Sequence, residues 1–244
     1  MTIRDYLQRS RAPRYSLLFA LPLLLLYEGL SALLTGSAVA GVRNGADVLL
    51  KTLFIGLGGR DGLVVLGVLL LGGGAWLAWR DRRRSGEPLE ARLFGWMLLE
   101  SAAYAAVFGV VVGWLTALVL SGPPGLSAGG VGALDLPTQL VISLGAGLYE
   151  ELVFRVLLVG LLIRLFALVL RGRRAAGAAL AVIVSALVFS AFHYVGPLGD
   201  HLEVPSFTFR AIAGVAFSAL YVTRGFGIAA WTHALYDLGL SLMG

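Results

Sequence analysis

Cysteine is missing from the 244 residues altogether. Its absence excludes disulfide bridges, thiolate nucleophiles and Cys-ligated metal centres. Charge is scarce: 14% of the residues are Asp, Glu, Lys or Arg, against about a quarter in soluble domains. No polar stretch is long enough to fold by itself, so 1–244 reads as a single integral membrane domain. There is no H-E-x-x-H string, which disfavours the standard zincin layout. Internal repeats and low-complexity tails are also missing. The net charge of +5 does not point to nucleic acid, because the arginines cluster in short loops between apolar runs, as topology signals do.

What remains is apolar: 58% of the residues are hydrophobic, with a mean hydropathy of +0.87. A spanning helix needs roughly 20 mostly apolar residues. Runs at about 15–36, 62–79, 94–120, 138–170, 176–195, 207–223 and 226–242 predict an all-α, polytopic transmembrane helical bundle of seven spans. The shorter segment 44–58, with Arg43, Lys51 and Arg60 at or near its ends, reads as interfacial or re-entrant, or as an eighth span. Arginine is dense in 1–14, 80–92 and 164–174, while 121–136 and 196–206 hold no Lys or Arg. If 44–58 does not cross, every Arg-rich loop falls on one side. The N-terminus is then cytoplasmic and the C-terminus outside. The run from Tyr15 to Leu34 is too long for a signal-peptide core and reads as a retained helix, despite the A-x-A-like Ala38-Val39-Ala40. Gly122-Pro123-Pro124-Gly125 and Gly129-Gly130 break the chain between helices.

An ionised group at mid-membrane costs about 2.5–3.5 kcal/mol and usually marks function. Glu28 and Glu100 are lone carboxylates in apolar runs, each able to pair, to stay neutral or to join the chemistry. Arg210 lies near a helix end, where it can reach the headgroups. Glu150-Glu151-x-x-x-Arg155 is denser. Glu151 and Arg155, at i and i+4, share a helical face and suit an ion pair. Glu150, rotated about 100° away, has no local partner, as expected of a poised base. A structural salt bridge with Glu150 paired elsewhere is the plainer alternative.

Phe189-x-x-x-His193 and His233-x-x-x-Asp237 lie on two later helices. Each is weak alone. Together, Glu150, His193, His233 and Asp237 can converge in a bundle core and activate water. Glu150 and His193 could hold and deprotonate it directly. Alternatively, the four could bind a divalent metal such as Zn²⁺, which acidifies bound water. Helix arithmetic strains this: His193 falls near the outer end of its helix and His233 nearer the inner end of its own. They meet only if helices tilt, shift in depth or break.

Glu150-Glu151-Leu152-Val153-Phe154-Arg155, Phe189-Ser190-Ala191-Phe192-His193 and His233-Ala234-Leu235-Tyr236-Asp237 resemble, in order and spacing, the three motifs of the CPBP (ABI) family. That family contains type II CAAX prenyl endopeptidases and bacteriocin-processing enzymes. The resemblance covers about 140–242, so the motif-bearing core is 138–242; residues 1–136 match only as a hydrophobic bundle. It implies an intramembrane endopeptidase, metalloprotease or glutamate-type, in a bacterial or archaeal cell membrane. Its partners would be lipids and a membrane-associated or hydrophobic-tailed protein or peptide. Glu150 would be the base and His193 would help hold the water. Glu151 and Arg155 would be the supporting pair, and His233 with Asp237 would bind metal or stabilise the oxyanion. Asn is usual at the last position in prenyl-protein-processing members. Asp cannot donate to an oxyanion when ionised, which shifts weight towards metal binding or orientation of His233, and away from a prenylated substrate. A non-catalytic immunity or scaffold protein and a proton-coupled transporter are the alternatives.

Overall fold

Short apolar residues and long apolar faces set the architecture. The computed structural model describes residues 2–34, 43–121, 134–171, 173–196 and 199–243, and among these there is no strand. Ala38-Val39-Ala40 and the Gly-Pro-Pro-Gly breaker lie outside the described residues. The helices are α1 (Ile3–Ser10), α2 (Pro13–Leu33), α3 (Gly45–Gly67), α4 (Gly73–Ser85), α5 (Ala91–Leu120), α6 (Leu136–Gly145), α7 (Gly160–Val169), α8 (Arg174–Phe192), α9 (Val204–Arg224) and α10 (Phe226–Met243). Wider π-helical segments, Val68–Gly72 and Ala146–Val159, join α3 to α4 and α6 to α7. Large side chains such as Leu25, Val110 and Leu168 face outward at 64%, 69% and 79% exposure. Ala20, Ala181, Ala229, Ala230 and Ala234 are buried between helices. Apolar outside and small inside is the pattern of helices packed in lipid.

Among the described residues, six helices are long and apolar enough to cross a membrane: Pro13–Leu33, Gly45–Ser85, Ala91–Leu120, Leu136–Val169, Arg174–Phe192 and Val204–Arg224. This meets the expected seven or eight only roughly, for two physical reasons. Segments 44–58 and 62–79 belong to one element that breaks at Gly58-Gly59, where Gly59 has φ +59°. A Cβ on Gly62 would lie 1.8 Å from the Phe54 carbonyl oxygen, so the chain folds sharply back on itself there. The second reason is α10, whose 18 residues carry His233 and Asp237. It packs against α2, α5, α6, α9 and the Ala146–Val159 segment. A helix surrounded by protein does not need a lipid-compatible composition.

Ion pairs tie one end of the bundle. Arg14 reaches Asp81 and Glu87 at 3.1 and 3.2 Å, and Arg9 reaches Glu90 at 2.6 Å. The hydrogen bonds from Arg9 and Arg92 hold the Glu90 carboxyl below its usual range. Glu100 is not solitary: Arg224 Nε lies 2.6 Å away and Tyr6 donates to it. The Arg-rich segments 1–14 and 80–92 thus meet at one end.

Glycine sets how closely α10 approaches the π-helical segment. A Cβ on Gly147 would stand 2.4 Å from the Ala230 carbonyl oxygen and 2.6 Å from Ala234 Cβ. Overpacking of this kind costs about 1–3 kcal/mol. Gly147→Ala is therefore expected to lower the melting temperature in detergent by roughly 2–10 °C, measured beside the wild type.

Candidate active site

Glu150 and Glu151 lie on the π-helical segment Ala146–Val159, not on the α-helix expected. Its i→i+5 bonding widens the turn, as occurs often at functional sites. Gly145 and Gly147 flank its start, and each faces another element at a distance no side chain would allow: Tyr27 and Asn44 for the first, α10 for the second. The carboxylates are thereby pressed between α10 and the start of α3.

Glu150 is 6% exposed. Its Oε1 accepts a hydrogen bond from Asn44 Nδ2 at 2.7 Å. Its Oε2 is buried with no hydrogen-bond partner among the described residues, yet lies 3.9 Å from His193 Nε2 and 4.0 Å from His233 Nε2. Both imidazoles turn the same nitrogen inward. His193 Nδ1 sits 2.9 Å from the Phe189 carbonyl, which can only accept, so that nitrogen carries the proton. His233 Nδ1 is 2.8 Å from Glu151 Oε1. Asp237 Oδ2 stands 3.5 Å from His233 Nε2, beyond hydrogen-bond geometry. The structure therefore brings together all four residues singled out from the sequence.

The supporting pair is present. Arg155 Nη1 is 3.3 Å from Glu151 Oε1, with both side chains essentially buried. Among the described residues the guanidinium finds no hydrogen-bond partner, and it rests on the faces of Phe189 and Phe217, 4.2 and 5.4 Å from their centroids. Two contacts were not legible in the sequence. His233 Nδ1 meets Glu151, and Phe217 stacks on that ring at 4.3 Å. Arg210 is 8% exposed and ion-paired with Asp200. Glu28 joins Arg43 at 2.7 Å, Lys51 at 3.2 Å and the Tyr149 hydroxyl at 3.0 Å, beside the site.

The axial mismatch of the two histidines is absorbed by the register of the helices. His193 caps the end of α8, whose Ser185 donates to the Phe154 carbonyl. Gly147, further back on the same segment, packs on Ala230 and Ala234 of α10. Both histidines consequently flank Glu150.

Two signals escaped sequence reasoning. Asn44 heads α3, and an N-cap residue such as Asn just before an apolar run was the available clue. Gly125-Leu126-Ser127-Ala128-Gly129 spells G-x-S-x-G, though it follows a helix breaker rather than a strand–helix elbow; it lies outside the described residues.

The donor set suits a divalent cation chemically, since two imidazole nitrogens and an unpartnered carboxylate oxygen face one point, with Nδ1 of each histidine held by an oxygen. The spacing is loose. Ligands on bonds of 2.0–2.1 Å stand about 3.4 Å apart in a tetrahedron, and among the described residues no group of His, Asp and Glu stands at metal-holding spacing. Closing the two Glu150–histidine distances by about half an ångström would be needed.

Comparison with curated proteins and with solved structures gave no match. Residues 132–239 match a family model described as Rce1-like, type II CAAX prenyl endopeptidase. The family suggested by the motifs and the family matched over 132–239 are thus the same, the Rce1-like type II CAAX prenyl endopeptidases, a protease family.

Proposed function

We propose that this protein is an intramembrane endopeptidase that hydrolyses a peptide bond in a membrane-associated or hydrophobic-tailed protein or peptide. The observation that carries the proposal is that the unpartnered Glu150 Oε2 lies 3.9 Å from His193 Nε2 and 4.0 Å from His233 Nε2. A water held there donates one hydrogen to Glu150 Oε2 and the other to His193 Nε2. Glu150 takes the proton as the water oxygen attacks the scissile carbonyl carbon, and returns it to the leaving amine. Doubly protonated His233 donates from Nε2 to the developing oxyanion, a role that ionised Asp237 cannot fill. Glu151 keeps the His233 ring in place. A divalent cation would instead be held by Glu150, His193, His233 and Asp237, with His233 Nε2 deprotonated, and would acidify a bound water. The arginine distribution supports a cytoplasmic N-terminus.

The test uses purified protein and two quenched-fluorophore peptides ending in C-A-A-X, one farnesylated and one not. Cleavage of either, lost in Glu150→Gln, is the expected result. No cleavage of either by active-site-intact protein, across pH 5–9 and with added Zn²⁺, would count against the peptidase reading and favour a non-catalytic bundle. Zinc is measured in the same preparations. Near-stoichiometric zinc that disappears in His193→Ala assigns water activation to the cation; cleavage without metal assigns it to Glu150 directly.

A further inference from the structure

The segment that heads α3 lies outside the matched residues 132–239, yet it touches the base. Asn44 is 3% exposed and separated from Glu150 by 106 positions. Its amide has two engagements. Oδ1 accepts from the Ala46 backbone N–H at 2.9 Å, capping α3, and Nδ2 donates to Glu150 Oε1 at 2.7 Å. The cap fixes which way the amide faces: only the oxygen can accept from Ala46, so the NH₂ must face Glu150. Asn44 is itself anchored. The Tyr27 hydroxyl accepts from its backbone N–H at 3.3 Å and donates to Asp47 at 2.7 Å. Arg43 and Lys51 bridge Asp47 to Glu28.

We infer that Asn44 is a positioning residue for Glu150: by occupying Oε1 it locks the carboxylate plane and leaves Oε2 as the oxygen that faces the two histidines. The physical ground is that a carboxylate in an apolar bundle has few rotamer constraints of its own. A charge-assisted hydrogen bond from a buried, pre-oriented amide supplies one. The inference rests on Glu150 being the base, but it concerns a different residue on a different helix.

Its two hydrogen bonds make the role separable. Ser and Thr are good N-caps, so Asn44→Ser and Asn44→Thr preserve the cap on Ala46. Neither can donate to Glu150, because each hydroxyl stands too close to its own backbone to reach Oε1. Both are expected to fold with a melting temperature within a few degrees of the wild type and KM within about twofold, and to lose roughly 10- to 100-fold in kcat on whichever peptide the wild type cleaves. Wild-type kcat in both would mean that Asn44 only caps a helix and would overturn the inference. The base assignment fails separately, through an active Glu150→Gln. If the wild type cleaves neither peptide, labelling of Glu150 by a hydrophobic carbodiimide, followed by mass spectrometry, reads the same bond. Faster labelling in Asn44→Ser supports the lock, and equal labelling overturns it.

Discussion

Glu150→Gln is expected to cut kcat by roughly 10²–10⁴-fold, the usual contribution of a positioned acid–base group, in a protein that still inserts and melts like the wild type. The amide is isosteric with the carboxylate. Its oxygen still accepts from Asn44 Nδ2, and its NH₂ faces His193 Nε2, which carries a lone pair because Nδ1 holds the proton. The pocket is therefore satisfied while the proton acceptor is gone. Kinetics on the peptide that the wild type cleaves, with a thermal melt of the same sample, check both halves. Undiminished turnover removes Glu150 from the chemistry; a collapsed melt makes it structural.

The largest loss of stability is expected at Arg155. It is 1% exposed and its guanidinium has no hydrogen-bond partner among the described residues, so its worth lies in the charge it sets against Glu151, which is fully buried. Removing one member of a buried pair leaves an uncompensated ion, at a cost of about 3–5 kcal/mol. Arg155→Leu should accordingly lower the melting temperature by roughly 10 °C. Adding Glu151→Gln should restore much of the loss, because the stranded charge is then neutral. Turnover should not return with it, since the Gln can no longer offer His233 Nδ1 a charged acceptor. A double-mutant cycle on stability gives the pairwise coupling. An Arg155→Leu protein as stable as the wild type would show that Glu151 is held by His233 alone.

The same residues show why some of the site was legible and some was not. Glu150, Glu151, Arg155, His193, His233 and Asp237 stood out because ionised groups are costly in apolar helices. The Glu151–Arg155 pair was local in sequence, and it is there at 3.3 Å. The Glu151–His233 bond spans 82 positions and the Asn44–Glu150 bond 106. No periodicity reports such distances. Glu28 and Glu100 looked alike as lone carboxylates, yet one sits in the network behind Asn44 and the other bolts α5 to α9 through Arg224.

The sequence by itself determined the helical class, the membrane setting and the list of polar residues in the core, because the bilayer leaves backbone groups few alternatives to helix and penalises each buried charge. Tertiary structure alone decided the π-helical turn under Glu150, the fold-back at Gly58-Gly59 and the register that carries His193 to His233. It also decided which oxygen of Glu150 is held and which is free. These features depend on how closely Gly145 and Gly147 let neighbouring elements approach, and such close packing is set by the whole bundle rather than by any one segment.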